Sequence, residues 1–232
     1  MQADKLRNEV CTANLELARR GLVTYTWGNV SGLDRERGIV AIKPSGVSYD
    51  RLTPETMVLL NLEGDVIEGT LNPSSDTPTH MALYRARPDI GGVAHTHSTY
   101  ATAFAQACTP IPCLGTTHAD HFHGGIPVTR RMTEEEVTDN YEANTGRVIL
   151  ETLDNQSSID MPAILVANHG PFSWGKDCQA AVKNSVVLES VALMAFLTRN
   201  LSPEQGAIPR YLLDRHFGRK HGPTAYYGQP EA

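Results

Sequence analysis

The sequence has few cysteines, no spacing typical of a structural zinc site and no long apolar run. Its four cysteines include no CxxC pair, which argues against a zinc finger and favours reduced thiols in the cytoplasm. The first seven residues are charged and lack the apolar core of a signal peptide. The longest apolar candidate, residues 186–197, contains Glu189 and is shorter than the roughly 20 residues that a membrane span needs. We therefore expect a cytoplasmic protein with no membrane partner.

Positive charge is also in short supply. The formal net charge is -6, which argues against a general nucleic-acid binder, although one cleft can still hold an anion. Hydrophobic residues make up 41% of the chain and charged residues 20%, a composition that is not typical of a disordered protein. The 232 residues contain no repeat and no long linker, so we expect one domain over residues 1–232.

Hydrophobic periodicity predicts helices that alternate with strands after an early hairpin section. The predicted helices are an amphipathic one stopped by Gly21, then 77–87, 100–107, 133–153 opened by a Thr133–Glu136 capping box, 177–200 capped by Asp177, and 210–217. The predicted strands are 29–33, 39–42, 57–62, 66–68, 92–97 and 163–167. This order predicts a layered α/β/α domain around a mixed sheet.

Histidines follow two of the apolar strand segments. His95 and His97 are two residues apart at the end of one strand, so both imidazoles can lie on the same face. His169 ends another strand and precedes Gly170 and Pro171. Three histidines with an open position are typical of catalytic zinc. A competing cluster of His118, Asp120, His121 and His123 has its own metal-ligand spacing, and periodicity does not decide between the two.

Three short polar turns have the composition of phosphate cradles. They combine small residues, hydroxyl donors and one lysine: Gly28-Asn29, Lys43-Pro44-Ser45-Gly46 and Pro73-Ser74-Ser75. Backbone N–H groups in such turns bind anions. None of the three has Walker or dinucleotide-binding spacing.

These segments also form part of a longer ordered pattern. In chain order it reads TWGNVS from Thr26, KPSG from Lys43, SSDTPTH from Ser74, HTHS from His95, GTTHAD from Gly115, HGP from His169 and AYYGQ from Ala225. The pattern resembles the L-ribulose-5-phosphate 4-epimerases of the class II aldolase and adducin-head superfamily. It extends from about residue 6 to residue 229.

The resemblance implies a three-layer α/β/α fold with a central, mixed but largely antiparallel sheet, a zinc ion (or another divalent metal) and a homotetramer with active sites between subunits. The implied metal ligands are Asp76, His95, His97 and His169. The implied phosphate-binding residues are Gly28, Asn29, Lys43, Ser45, Gly46, Ser74 and Ser75. The implied proton shuttles are Asp120 and Tyr227, the latter in the tail and supplied by the neighbouring subunit, with Thr116 and His216 in support. His121 and His123 depart from the family pattern, which favours aromatic residues there.

The implied reaction interconverts L-ribulose 5-phosphate and D-xylulose 5-phosphate. The C4 hydrogen is β to the ketone and is not acidic, so retro-aldol cleavage of C3–C4 followed by re-addition replaces direct deprotonation. One alternative is a zinc-dependent aldolase of a deoxyketose 1-phosphate such as L-fuculose 1-phosphate, which resembles this pattern but carries glutamate where this chain has Asp76. A non-catalytic adducin-like scaffold would be expected to lack the histidines and Asp120.

Overall fold

A seven-stranded sheet organises the chain. The computed structural model describes residues 2–154, 157–222 and 225–226. The strands are β1 Asn29–Asp34, β2 Ile39–Ile42, β3 Val58–Asn61, β4 Val66–Glu68, β5 Gly92–His95, β6 Ala163–Leu165 and β7 Pro171–Gly175. Their order across the sheet is β4-β3-β2-β1-β5-β7-β6. Every ladder between described strands is antiparallel, and the one parallel pairing is an isolated bridge from Val128 to Leu165.

Helices cover both faces of this sheet and complete the three layers. They are α1 Gln2–Arg19, α2 Thr77–Ala86, α3 Thr99–Gln106, α4 Thr116–Ala119, α5 Glu134–Thr138, α6 Tyr141–Leu153, α7 Cys178–Leu201 and α8 Arg210–His221. Side chains alternate along the strands, so Ala94 packs with α1 and α7 while its neighbour Val93 packs with α2 and α6. The predicted three-layer fold class is confirmed.

The capping signals were correct, but one predicted helix is two. Thr133 and Glu136 form a reciprocal capping box, and the Asp177 carboxylate accepts a hydrogen bond from the Ala180 N–H at 2.7 Å. The single helix predicted over 133–153 is wrong, because Asn140 adopts a left-handed conformation with φ 56° and separates α5 from α6.

A strand that sequence analysis did not predict lies at the centre of the site. β7 separates β5 from β6, so the two strands followed by histidines are not neighbours in the sheet. β5 also ends at His95 rather than at His97. His169 instead belongs to the turn between β6 and β7, and this turn brings it back toward the end of β5.

Helix α7 is long and apolar enough, by length and composition alone, to cross a membrane. Sequence analysis took only residues 186–197 as its apolar part, whereas the helix has 24 residues. Ala181, Val182 and Leu188 are buried in the hydrophobic core, which is the arrangement of a core helix. Such a helix is weak evidence for a membrane span.

Candidate metal and anion site

Three histidines converge at one edge of the sheet. His95 Nε2 and His97 Nε2 lie 3.1 Å apart, and one ring nitrogen from each of His95, His97 and His169 lies within 4.8 Å of the others. Two tetrahedral ligands of zinc at their usual bond length are about 3.3 Å apart, so this spacing fits one shared ion. Among the described residues, this histidine group is the only set of three or more such donors.

Hydrogen bonds on the far side of the rings orient the histidine group. His95 Nδ1 donates to the Pro171 carbonyl at 2.9 Å, and the His95 ring stacks on Phe172 with centroids 4.2 Å apart. His169 Nδ1 is hydrogen-bonded to the Tyr141 hydroxyl at 3.2 Å. Metal-binding histidines are commonly held in this way, because a partner at one nitrogen leaves the lone pair of the other free for the ion.

The protonation preferences of these rings also suit a metal. Burial lowers the pKa of His97 below its usual range. Burial, together with the adjacent His95 and His97, lowers the pKa of His169 to about 3. The neutral imidazole is the form that binds metal, so the site favours the ligating state near neutral pH.

A residue of helix α7 holds the stretch of backbone that follows His97. Ser98 occupies the N-cap position of α3, but its side chain makes no capping hydrogen bond. The Glu189 carboxylate instead accepts from the N–H groups of Tyr100 and Ala101, at 2.9 Å each. A carboxylate at a helix N-terminus satisfies the unpaired N–H groups there, which anchors the chain that carries His97.

One cavity of about 610 Å³ joins the histidine group to all three predicted anion turns. Its lining includes every phosphate-binding residue that the resemblance implied: Gly28, Asn29, Lys43, Ser45, Gly46, Ser74 and Ser75. Asp76 and the three histidines line the same space. The fold therefore brings together eleven predicted site residues that are spread from position 28 to position 169 in the chain.

Asn29 links the two halves of this large cavity. Its Nδ2 group donates to Ser74 Oγ at 3.0 Å and to Asp76 Oδ2 at 2.7 Å. Its Oδ1 atom is buried and has no hydrogen-bond partner among the described residues. Gly28 has φ +83°, and a Cβ at that position would lie 2.8 Å from the His95 carbonyl oxygen. The glycine therefore allows the anion turn to approach the histidine strand.

Asp76 borders the cavity but is not part of the three-donor group. Burial alone would raise the pKa of its carboxyl, but the nearby His95 and His80 and the Asn29 hydrogen bond hold it below its usual value. Asp76 is therefore ionised beside the histidine group. Its role as a fourth ligand stays a prediction.

Lys43 is the cation of the anion turns, and it is almost completely buried. Its ammonium lies 3.3 Å from the Pro44 carbonyl oxygen and 5.1 Å from the centre of the Tyr49 ring. Burial lowers the pKa of Lys43 to about 8. The Tyr49 hydroxyl lies within hydrogen-bonding distance of the Trp27 and Gly28 carbonyls, at 3.0 and 2.8 Å. This buried tyrosine therefore contacts both Lys43 and the Gly28 turn.

Sequence analysis assigned no site role to Trp27, Tyr141 or Glu142, yet all three line the large cavity. Trp27 lies within the quoted TWGNVS motif, and this position next to Gly28 was a signal that could have identified it. In the structure its ring is half-exposed. Tyr141 and Glu142 carried no comparable signal. They reach the cavity because the break at Asn140 starts a new helix there.

Asp120 does not line the cavity that contains the histidine group of its own chain. Its carboxylate accepts from Arg219 at 2.6 and 3.0 Å and from His216 Nδ1 at 3.0 Å. Burial would raise the pKa of Asp120, but the hydrogen bonds from Arg219 and His216 and the charge of Lys220 lower it to about 2. Thr116 is near, because its carbonyl accepts the Asp120 N–H.

The competing histidine cluster does not converge on a common point. His118 Nε2 donates to the Gly124 carbonyl at 2.8 Å, and His123 Nε2 is hydrogen-bonded to Asp214 at 2.8 Å. His121 lines a second cavity with Gly175 and Lys176. His118 and His123 thus have separate partners and His121 lines a separate cavity, and no metal group is found among the three in the described part of the chain.

The remaining predicted shuttle, Tyr227, lies outside the described residues. Its neighbour Tyr226 donates its N–H to the Arg219 carbonyl at 3.0 Å, and the Tyr226 ring lies 5.5 Å from the Arg215 guanidinium. The described part of the tail therefore contacts α8, the helix that also binds Asp120.

The geometry agrees with a family comparison. Residues 8–196 match the model described as class II aldolase and adducin N-terminal domain. The chain belongs to the class II aldolase and adducin N-terminal domain family. Enzymes of this family generally depend on a divalent metal, commonly zinc, and act on sugar phosphates. The histidine group and the adjoining anion turns fit both features.

Solved structures give the same fold. An L-fuculose 1-phosphate aldolase superposes with a TM-score of 0.79 and 26% identity, covering 93% of this chain and 95% of that one. YgbL from Escherichia coli, an aldolase/epimerase/decarboxylase candidate, gives a TM-score of 0.76 and 25% identity over 94% of this chain and 100% of its own. YgbL from Klebsiella pneumoniae gives 0.75 and 25%, covering 93% and 99%. The YgbL descriptions leave aldolase, epimerase and decarboxylase activities open, so substrate choice must be argued from the site.

Proposed function

We propose that this class II aldolase-family chain is an L-ribulose-5-phosphate 4-epimerase. It would interconvert L-ribulose 5-phosphate and D-xylulose 5-phosphate by cleaving and re-forming the C3–C4 bond. The single observation that carries the proposal is the large cavity, which has anion turns at one side and the histidine group at the other. A sugar phosphate needs both, because its phosphate must be held while its ketone end reacts.

The anion turns would bind the phosphate and keep the aldehyde fragment in place after cleavage. Ser45, Ser74 and Ser75 offer hydroxyl donors, and Lys43 offers a partly desolvated positive charge. Holding the phosphate fixed while the carbonyl rotates lets the second fragment add to the opposite face without diffusing away. Asn29 would hold the Ser74 turn and Asp76 in fixed positions relative to each other through its hydrogen bonds to both.

The proposed cofactor is zinc, held by His95, His97 and His169 with Asp76 as the fourth ligand. When bound, the ion supplies Lewis-acid stabilisation of the negative charge that develops on the ketone side during cleavage. The protein's own contribution is twofold: Pro171 orients the His95 ring and Tyr141 orients the His169 ring, and burial lowers the pKa of His97 and His169, which favours their neutral forms.

Two proton shuttles are proposed, Asp120 and Tyr227, one for each face of the aldehyde, with Thr116 and His216 in support. Asp120 is held by Arg219 and His216 and does not line its own chain's large cavity. The proposal therefore needs a neighbouring subunit to bring Asp120 and the C-terminal tail to each histidine group. We accordingly propose a homotetramer of single-domain subunits over residues 1–232, located in the cytoplasm, where the four free cysteines stay reduced.

A second candidate activity is cleavage of a deoxyketose 1-phosphate such as L-fuculose 1-phosphate. The similarity to an L-fuculose 1-phosphate aldolase favours it. Two features favour the epimerase instead: the Thr116-Thr117-His118-Ala119-Asp120 segment and the aspartate at position 76. The Asp76 side chain is one methylene shorter than glutamate and is already hydrogen-bonded to Asn29, which suits a ligand better than a proton shuttle.

The test is a pair of coupled assays on protein of known metal content. Incubation with L-ribulose 5-phosphate should form D-xylulose 5-phosphate, and incubation with L-fuculose 1-phosphate should release little dihydroxyacetone phosphate. Efficient cleavage of the 1-phosphate without epimerisation would transfer the assignment to the aldolase. Metal-replete protein that is inactive in both assays would favour a scaffold.

A further inference from the structure

A second cavity lies at the opposite end of β7 from the histidine group. Its volume is about 370 Å³, at the lower end of the range for small-molecule pockets, which begins near 300 Å³. β7 runs from Pro171, beside His95, to Gly175, which lines this second cavity. The two cavities share no lining residue, so a ligand in one need not touch the other.

Much of the second cavity's wall is apolar. The lining includes Ile90, Ile159, Pro162 and Trp174, and Trp174 is fully buried behind this wall. Ile159 is 63% exposed at the rim, where an apolar ligand would cover it. These side chains favour a ligand with an apolar or aromatic body rather than a sugar.

Basic groups line the same space. Lys176 and Lys183 contribute ammonium groups that form no ion pair with any described residue. His121 and His221 add two imidazoles, and Asp89 is the carboxylate in the described lining. Two permanent positive charges against one negative charge leave the cavity suited to an anion.

A buried hydroxyl also lacks a partner. The Ser158 side chain lines the cavity and is 7% exposed, and its Oγ atom has no hydrogen-bond partner among the described residues. The Trp174 indole N–H donates to the Ser158 carbonyl at 2.9 Å, which fixes this segment against the wall. A buried hydroxyl without a partner is costly, and a ligand oxygen could satisfy it.

We propose that the second cavity binds a small organic carboxylate whose apolar or aromatic body packs over the exposed Ile159, next to the buried Trp174. Its carboxylate lies between Lys183 and Lys176, and Ser158 donates a hydrogen bond to the ligand. This site goes beyond the proposed epimerase activity and does not depend on it.

The test uses phenylacetate as the probe and the protein's own fluorescence as the readout. The chain has two tryptophans, so a Trp27→Phe background leaves Trp174 as the only reporter. Phenylacetate should change this fluorescence saturably, both in metal-loaded protein and after metal removal. Phenylacetamide has the same shape without the charge, and it should bind about tenfold more weakly, as expected for loss of a charge-assisted contact.

Matched variants locate the site. Lys183→Met should weaken phenylacetate binding about tenfold, and Ser158→Ala should weaken it several-fold. Lys5→Met removes the same charge from the exposed face of α1 and should leave binding unchanged. The proposal is overturned by the absence of saturable binding, by equal binding of the amide, by an unaffected Lys183→Met variant, or by binding that is lost on metal removal. Activity assays play no part in this test, so its failure leaves the epimerase proposal untouched.

Discussion

Asn29 and His95 are direct partners across the antiparallel β1–β5 ladder. This pairing places the first anion turn beside the first histidine of the histidine group. Because the register of a ladder fixes which side chains are neighbours, the distance between the Asn29 turn and the histidine group is set by the sheet. The predictions below test the parts that this pairing brings together.

Replacing His97 should remove metal and activity together. His97→Asn takes one nitrogen from a group whose donors lie within 4.8 Å of one another. We expect the metal content of purified protein to fall well below one ion per chain, measured by atomic emission. His123→Asn is the matched control, since His123 binds Asp214 outside the large cavity. Normal metal content in His97→Asn protein would refute the assignment of this ligand.

Asp120 does not line the large cavity of its own chain, and its proposed role as a shuttle therefore predicts complementation between chains. His97→Asn and Asp120→Asn should each be inactive alone. In mixed oligomers, some sites would combine an intact histidine group from one chain with an intact Asp120 from another. Random mixing in a ring of head-to-tail contacts would restore up to about a quarter of the normal sites.

The check is an activity assay after the two variants are unfolded together and refolded, with mixed oligomers verified by mass spectrometry. Separately refolded variants serve as the control. Verified mixed oligomers that remain inactive would show that Asp120 does not act across subunits.

Tyr141 should matter through His169. Tyr141→Phe removes the hydroxyl that contacts His169 Nδ1 and keeps the ring. Loss of such an outer hydrogen bond weakens metal affinity about tenfold or more, so we expect faster metal transfer to a competing chelator. Tyr211→Phe, on the exposed face of α8, provides the control. If both variants hold metal as tightly as the parent protein, the hydroxyl has no role in orienting His169.

Lys43 should make catalysis pH-dependent on the alkaline side. Its pKa is lowered by burial to about 8, so the ammonium is charged below that pH and neutral above it. The charged form binds phosphate better, and kcat/KM should therefore decline as pH rises through about 8. In Lys43→Met, kcat/KM should be low throughout and this decline should vanish. A wild-type profile that stays flat to pH 9.5 would contradict the role of Lys43.

Gly28 should tolerate no side chain. Gly28→Ala combines a strained positive φ with a Cβ only 2.8 Å from the His95 carbonyl oxygen. Gly38→Ala has a similar φ of +66° in the β1–β2 turn, but its Cβ meets only the Leu62 side chain at 3.7 Å. We expect Gly38→Ala to cost about 1–2 kcal/mol in the free energy of unfolding, measured by denaturation, and Gly28→Ala to cost more and to lower activity. Equal losses would mean that the approach to His95 is not tight.

The sequence by itself determined most of the secondary structure and the composition of the site. The hydrophobic spacing of α1 and the hairpin pattern of β1 and β2 are local properties, as is the capping of α7 by Asp177, and local physics was sufficient to predict them. The three anion turns and the three histidines were also visible as motifs, because their residue types carry chemistry wherever they stand. The family match confirms the fold class that these patterns implied.

Local spacing left two histidine clusters open and the family resemblance favoured His95, His97 and His169, but only the tertiary structure placed three ring nitrogens of that group within 4.8 Å of one another. Spacing gave His118, His121 and His123 the same standing as the histidine group, but His118 bonds to the Gly124 carbonyl and His123 to Asp214, and the three form no metal group among the described residues. The tertiary structure also placed β7 between β5 and β6, and it placed the Asp120 carboxylate against Arg219 and His216 of α8. These outcomes depend on contacts between residues that are distant in the chain. Local periodicity contains no information about them, because strand order and register are fixed by packing of the whole domain.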